Sequence, residues 1–139
     1  MASIFSKIIA GELPGHFVWR DDQVVAFMTI APIRPGHVLV VPVREIDHWD
    51  ELPEDLFQHC LAVSKSIARA IKAVYRCKRV ALQIIGLEVP HAHIHLMPID
   101  TMADASFANA RQAEADELAE QAHRLRTQLQ SMGYVEADV

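Results

Sequence analysis

Cysteine is scarce in this chain. Cys60 and Cys77 are the only two among 139 residues. They form no Cys-x-x-Cys pair, so neither a disulfide framework nor a cysteine-based zinc site is indicated. Cys60 lies among apolar residues and reads as packed rather than reactive. Cys77, between Arg76 and Lys78, reads as an ordinary surface thiol. Long apolar runs are missing too. Nowhere do about 18 apolar residues follow one another, so no membrane span is expected. The opening MASIFSKIIAGELPG lacks the plan of a signal peptide, because its apolar run is short and Lys7 interrupts it. A cytoplasmic location is the expectation. There is no Lys/Arg run, and 13 basic residues stand against 18 acidic ones, for a formal charge of -5. That balance is a poor match to long nucleic acid but leaves room for a small phosphorylated ligand in a local pocket. Internal repeats and low-complexity tracts are absent.

What is there fits one domain over residues 1–139, with a core over about 3–98 and a C-terminal loop and helix over 99–139. Ile4 to Ile9 reads as a short amphipathic helix ended by Gly11 and Pro14. Phe17 to Arg20 and Val24 to Met28 read as a hairpin about the turn at Asp21–Gln23. His37 to Val41 is a β-branched run stopped by Pro42. Glu54 to Tyr75 has Leu56, Cys60, Val63, Ile67, Ile71 and Val74 at three- and four-residue spacing, which predicts a long helix with one buried face. Its acidic start and basic end suit the helix dipole. Arg79 to Ile85 and His91 to Pro98 read as strands, and Thr101 to Asn109 as a polar loop. Arg111 to Met132 reads as a second long helix, its seam packing on its own domain. The order predicts an α+β fold: an antiparallel sheet of about five strands, one long helix packed on it, and a C-terminal helix.

The chemistry sits in Pro90-His91-Ala92-His93-Ile94-His95-Leu96-Met97-Pro98. Three of eight histidines fall within five residues. On a strand, alternate side chains share a face, so His91, His93 and His95 would form a row roughly 6–7 Å apart at Cα. Ala92, Ile94 and Leu96 would point into the core. Three imidazoles are poor apolar filler, since burial requires partners for six ring nitrogens. Two chemistries suit the row. His-x-His plus a third histidine can hold zinc. Alternatively, one neutral imidazole can attack a phosphate while protonated neighbours stabilise the developing charge. A strand whose histidines only form hydrogen bonds is the plain alternative.

His91-Ala92-His93-Ile94-His95-Leu96-Met97 resembles the signature of the histidine-triad (HIT) family. Ile4-Phe5-Ser6-Lys7-Ile8-Ile9-Ala10-Gly11-Glu12-Leu13-Pro14 is similar to that family's N-terminal segment. Asp21-Asp22 to Phe27 and Pro35-Gly36-His37-Val38-Leu39-Val40-Val41-Pro42 match at the corresponding spacing. The likeness covers about residues 3–98. It implies that His93 attacks the α-phosphorus of a nucleotide, that water then releases a nucleoside monophosphate, and that no cofactor is needed. His91 and His95 would orient and polarise, and His37 would contact the phosphate or leaving group. Phe5, Ile8, Phe27 and Ile30 would enclose the base. Thr29 stands where relatives often carry an acidic residue or amide for the ribose. Gln83 falls at the amide position of a shortened phosphate loop, and Glu88 replaces a common Ser or Thr. Some members hold a structural zinc. At those positions this chain has Ser3, Ser6 and Glu45, and only His91 remains, so no metal site is expected. A homodimer is implied.

These features give a nucleotide hydrolase or nucleotidyl transferase acting on dinucleoside polyphosphates or nucleoside phosphoramidates. The Pro-Gly-His segment and Gln83 lean towards the former, and Glu88 leans away from the latter. The alternatives are a nucleotide-binding module with little catalysis, suggested by Thr29 and the short loop, and a zinc hydrolase using the three histidines.

Overall fold

Ser3 sets the first helix: its hydroxyl accepts from Ser6 N–H at 3.0 Å and caps α1, Ile4–Ile9. The computed structural model describes residues 2–139. β1 (Phe17–Arg20) and β2 (Val24–Met28) are joined by a turn in which Asp21 Oδ1 accepts from Gln23 N–H and Val24 N–H, each at 2.8 Å. β3 (Val38–Pro42), α2 (Glu54–Tyr75), β4 (Arg79–Gln83), β5 (Ile94–Ile99) and α3 (Ala115–Ser131) follow. The five strands form one antiparallel sheet in the order β1-β2-β3-β5-β4. The fold is α+β, as the order of elements predicts.

Strand alternation divides the sheet into two faces. Val24, Ala26, Met28, Val38, Val40, Ile94 and Leu96 pack against the apolar stripe of α2, from Leu56 through Cys60, Val63 and Ile67 to Ile71. Each fully buried Ile or Leu in that layer contributes about 1.5–3 kcal/mol. α3 adds Leu118, Ala122, Leu125 and Leu129 to the same cluster, so its seam packs on its own domain. Burial raises the Cys60 thiol pKa to about 11, which suits a packed, inert residue. The opposite face carries Val25, Phe27, Leu39 and Val41 under Phe5 of α1. In the register, Phe17 pairs with Phe27, Phe27 with Leu39, Leu39 with His95, and His95 with Gln83. Cross-strand partners share a face, so His95 lies on the α1 side, away from α2.

Several boundaries differ from those read in the sequence, each for a local reason. β3 begins at Val38 because His37 N–H closes a turn on Arg34 O. β4 ends at Gln83, short of Ile85, ahead of a turn at Gly86, whose φ is 77°. β5 begins at Ile94, so His91 and His93 precede the paired strand: Ala92 N–H donates to Ile46 O at 2.7 Å instead of to a ladder partner. α3 begins at Ala115 because Arg111 N–H and Ala113 N–H are taken by Pro32 O and Ile30 O. Thr101 to Asn109 contains two single-turn 3-10 helices, the first closed by a capping box between Thr101 and Asp104.

Candidate active site

The hydrogen bonds fix the state of each imidazole. His37 Nδ1 accepts from Ile33 N–H at 3.1 Å, so a neutral His37 carries its proton on Nε2. That proton is donated to His95 Nδ1, 3.0 Å away. His95 then carries its own proton on Nε2, which has no partner among the described residues. His93 is set the opposite way. Its Nδ1–H donates to the backbone carbonyl of His91 at 2.7 Å, which leaves Nε2 with a free lone pair. His91 donates from Nε2 to Pro42 O at 2.8 Å and accepts at Nδ1 from the Ser3 hydroxyl at 2.7 Å. The row therefore offers one nucleophilic nitrogen, His93 Nε2, beside one N–H donor, His95 Nε2.

The rings touch, His93 and His95 edge to face and His37 and His95 tilted. His93 and His95 have centroids 4.8 Å apart, and His37 and His95 5.2 Å. Burial pushes the pKa of His37 down to about 3 and of His95 to about 4, with repulsion from neighbouring imidazoles adding to it. Burial also lowers His91 and His93, against the hydrogen bonds each gives to a carbonyl. With their pKa values lowered, all four imidazoles are neutral at neutral pH. The expected protonated neighbours are therefore not present before a ligand arrives, because desolvation opposes their charge.

The other residues named from the sequence distribute unevenly. Phe5 packs on His93 with centroids 4.8 Å apart and meets Phe27 edge-on at 5.6 Å, so these two form an aromatic wall beside the histidines. Ile8 is half-buried behind them, and Ile30 is 61% exposed. Thr29 accepts from Ala31 N–H through its hydroxyl at 3.3 Å. Gln83 spends its amide N–H on Ala105 O at 2.9 Å, tying β4 to the segment after β5. Glu88 is exposed, and its charge raises the His93 pKa slightly against burial.

Two features escaped the sequence reading. Phe107 packs on His95 at 4.8 Å and on His37 at 6.2 Å, closing that end of the row. It was the one aromatic residue in a small polar stretch, which was the available signal. A cleft of about 160 Å³ opens at His93, lined by residues 47–50, residues 84–86 and Ala92. Nothing in the periodicity marks residues 47–50.

Ser3, Ser6, Glu45 and His91 meet, as the family's zinc positions would. Glu45 Oε1 accepts from Ser3 N–H at 2.6 Å and from the Ser6 hydroxyl at 2.7 Å. Those bonds lower the Glu45 pKa to about 2. Two neutral hydroxyls, one carboxylate and an imidazole already holding a hydroxyl proton do not fit a structural zinc, which takes thiolates and imidazoles. The triad does not fit one either: both ring nitrogens of His91 are committed, and among the described residues no group of three or more His, Cys, Asp or Glu could hold a metal. No helix among them is long and apolar enough to cross a membrane.

Comparison with known proteins agrees with this geometry. Residues 10–102 match the family model described as the HIT domain. An uncharacterized HIT-like protein of Methanocaldococcus jannaschii is 35% identical over 99 residues, covering 68% of this chain and 77% of the relative. An adenosine 5'-monophosphoramidase of Saccharomyces cerevisiae is 31% identical over 98 residues, covering 70% of this chain and 62% of the relative. The crystal structure of a HIT-like protein from Bartonella henselae superposes with a TM-score of 0.83 at 26% identity, covering 91% of this chain and 95% of that one. The chain belongs to the histidine-triad (HIT) family.

Proposed function

We propose that this protein hydrolyses nucleotides at the α-phosphate through a nucleotidyl intermediate on His93. The observation that carries the reading is the fixed tautomer of His93: Nδ1–H is held by His91 O, and Nε2 is free beside the Nε2–H of His95. An anionic phosphate placed against these neutral imidazoles raises their pKa values, so a proton is taken up on binding. It rests on His95 Nδ1, and the His37–His95 hydrogen bond then reverses: His37 accepts at Nε2, carries its own proton on Nδ1 and gives up the Ile33 N–H. His93 Nε2 then attacks phosphorus. The bond to the leaving atom breaks, its electron pair stays on that atom, and His95 supplies the proton. Water attacks next and gives a proton back to His95. The bond between phosphorus and His93 breaks, and the lone pair returns to Nε2. His37 positions His95, and His91 positions His93 through its carbonyl.

The nucleoside would lie against Phe5 and Phe27, with Ile8 and Ile30 at the edge of the base and Thr29 near the ribose. Gln83 and Glu88 would flank the phosphates. The yeast relative named as an adenosine 5'-monophosphoramidase makes a phosphoramidate a natural first substrate. We also infer a homodimer formed along β4, an outer strand that exposes Leu82, in a site that needs no cofactor.

The test is direct. Turnover of an adenosine 5'-phosphoramidate is quenched into alkaline denaturant, which preserves a phosphorus–nitrogen bond, and the intact mass is read. One nucleotidyl adduct is expected on the wild type and none on His93→Ala, which loses turnover. Unchanged turnover by His93→Ala removes the proposal. Tight nucleotide binding with no turnover on any substrate leaves a binding module instead.

A further inference from the structure

The turn that presents His37 has two accessible forms, and a side chain of α3 touches the peptide that distinguishes them. Arg34-Pro35-Gly36-His37 is a β-turn, closed by His37 N–H donating to Arg34 O at 3.2 Å. Gly36 has φ 92°, the value of the second central residue in a type II turn. Pro35 suits the first central position, and Gly36 takes the positive φ of the second without strain. The dipeptide permits this form but does not compel it, because Pro is also favoured at the first central position of a type I turn. Both forms keep the closing hydrogen bond. They differ by a flip of the central Pro35–Gly36 peptide, which turns the Gly36 N–H to the opposite side.

Gln121 holds that N–H. Its Oε1 accepts from Gly36 N–H at 3.1 Å, across 85 residues of sequence. Gly36 is buried, so its N–H is costly to leave without an acceptor. Gln121 follows Leu118 by three residues and precedes Leu125 by four, so it shares the face of α3 that packs on the core. From α2, the Tyr75 ring backs the same glycine. Two backbone bonds fasten the other end of the loop: Arg111 N–H to Pro32 O at 3.2 Å and Ala113 N–H to Ile30 O at 3.0 Å. Among the described residues, Gln121 is the only side chain of α3 that bonds the loop.

His37 is the next residue along. Its Nδ1 accepts from Ile33 N–H at 3.1 Å, and its Nε2 meets His95 Nδ1 at 3.0 Å. Both contacts pivot on the backbone that the turn sets. We propose that Gln121 is a positioning residue: by accepting from Gly36 N–H it holds the turn in its type II form and keeps His37 aligned to donate to His95. α3 lies beyond the residues that carry the family likeness, and this bond gives it a part in the site. The anchor matters further when a ligand protonates His95. His37 then gives up Ile33 N–H, whereas the bond from Gly36 to Gln121 remains. The effect on turnover rests on His95 as the proton donor of the proposed reaction. The effect on the imidazoles does not.

The experiment compares Gln121→Met, which keeps the length but loses the acceptor, with Gln121→Glu, which keeps an acceptor. Long-range proton–nitrogen correlation spectra at neutral pH, without nucleotide, read which ring nitrogen of His95 carries the proton. The wild type and Gln121→Glu are expected to show Nε2–H alone, and Gln121→Met a mixture of both tautomers. With an adenosine 5'-phosphoramidate, kcat of Gln121→Met is expected to fall about three- to tenfold, the worth of one hydrogen bond, with KM within about twofold. Gln121→Glu recovers most of that loss. A single, wild-type His95 tautomer in Gln121→Met overturns the proposal, whatever happens to kcat. So does a mixture in Gln121→Glu equal to that in Gln121→Met, because the acceptor is then not what matters. If Gln121→Met fails to fold, Gln121→Asn withdraws the acceptor by one carbon and is read in the same way. If the wild type turns over no phosphoramidate, the proposed reaction fails on that compound and the spectra still decide the role of Gln121. Mixed tautomers with unchanged kcat support the positioning and count against His95 as the proton donor.

Discussion

His37 Nε2 lies 3.0 Å from His95 Nδ1 and, because Ile33 N–H occupies the other nitrogen of His37, donates to it. One backbone amide in the loop before β3 thus decides which nitrogen of His95 faces a ligand with a proton. Replacing His37 by Ala removes the donor and leaves His95 free to take either tautomer. The expected loss in kcat/KM is about tenfold to a hundredfold, with KM less affected than kcat. Gln in its place can still donate an N–H to His95 and should recover part of the loss. Equal activities for His37→Ala and wild type would show that the tautomer does not matter.

The neutral state of these imidazoles has a consequence for stability. His37 and His95 have folded pKa values lowered from 6.5 to about 3 and about 4. Between pH 7 and pH 4 the unfolded chain binds protons that the folded chain refuses, so stability falls as the pH drops through that window. Discounted for relaxation and for the partial exposure of His95, the loss is on the order of 2–5 kcal/mol. Urea midpoints at pH 7, 5.5 and 4 test it, and a flat series contradicts the neutral-row assignment. The same row should take up a proton when AMP binds at neutral pH. Calorimetry in two buffers of different ionisation enthalpy reads that number, and zero uptake contradicts the route through a protonated His95.

Ser3 carries more than the cap of α1. Its hydroxyl donates to His91 Nδ1 at 2.7 Å and accepts from Ser6 N–H at 3.0 Å, at a residue 6% exposed. Ser3→Ala leaves a buried ring nitrogen without a partner and strips the cap. The expected cost is about 1–3 kcal/mol, read as a shift in the denaturant midpoint. A shift much below that would mean that water replaces the hydroxyl at no cost.

The bounds of α1, β1, β2 and α2 were legible because each rests on local chemistry: a serine cap, an Asx turn and an uninterrupted apolar stripe. The triad was legible as a pattern, though not as a strand. The His91 carbonyl is used by His93, and Ala92 N–H by Ile46, so ladder pairing starts only at Ile94. What periodicity could not reveal was contact across the chain. Ser3 meets His91 from 88 residues away, and Phe107 reaches His95 through a segment anchored by Arg34 to Asp104 at 2.7 Å. The shortened start of α3 has the same origin, since its predicted first turn is bound to the loop before β3.

Gly36 gives a sharper test of how the scaffold places His37. Its φ is 92°, and a Cβ built there would lie 2.6 Å from a ring carbon of Tyr75 in α2. Gly36→Ala therefore meets both backbone strain and a packed ring, at a cost of about 2–4 kcal/mol. The displaced backbone carries His37 with it, so activity should fall further than the unfolded fraction explains. A folded Gly36→Ala protein with wild-type kcat would show that the His37–His95 contact tolerates such a shift. Truncating Tyr75 to Ala in the same chain should remove the clash while leaving the φ strain, and so separate the two contributions.

β4 is an outer strand of the sheet, and Leu82 on it is 46% exposed, with Ile85 just beyond at 48%. At β1 the outer side is partly closed, since Arg126 donates to Phe17 O at 2.9 Å. An open edge bearing apolar side chains favours pairing with another strand, and a lysine there opposes it by placing a charge that must stay hydrated. If two copies pair along β4, sedimentation should give a dimer for the wild type and a monomer for Leu82→Lys, with unchanged circular dichroism. A wild-type protein that sediments as a monomer at high concentration refutes the pairing. A dimer untouched by Leu82→Lys moves the interface away from β4, and the exposed side of α2, where Leu61 is 36% exposed, becomes the next surface to substitute.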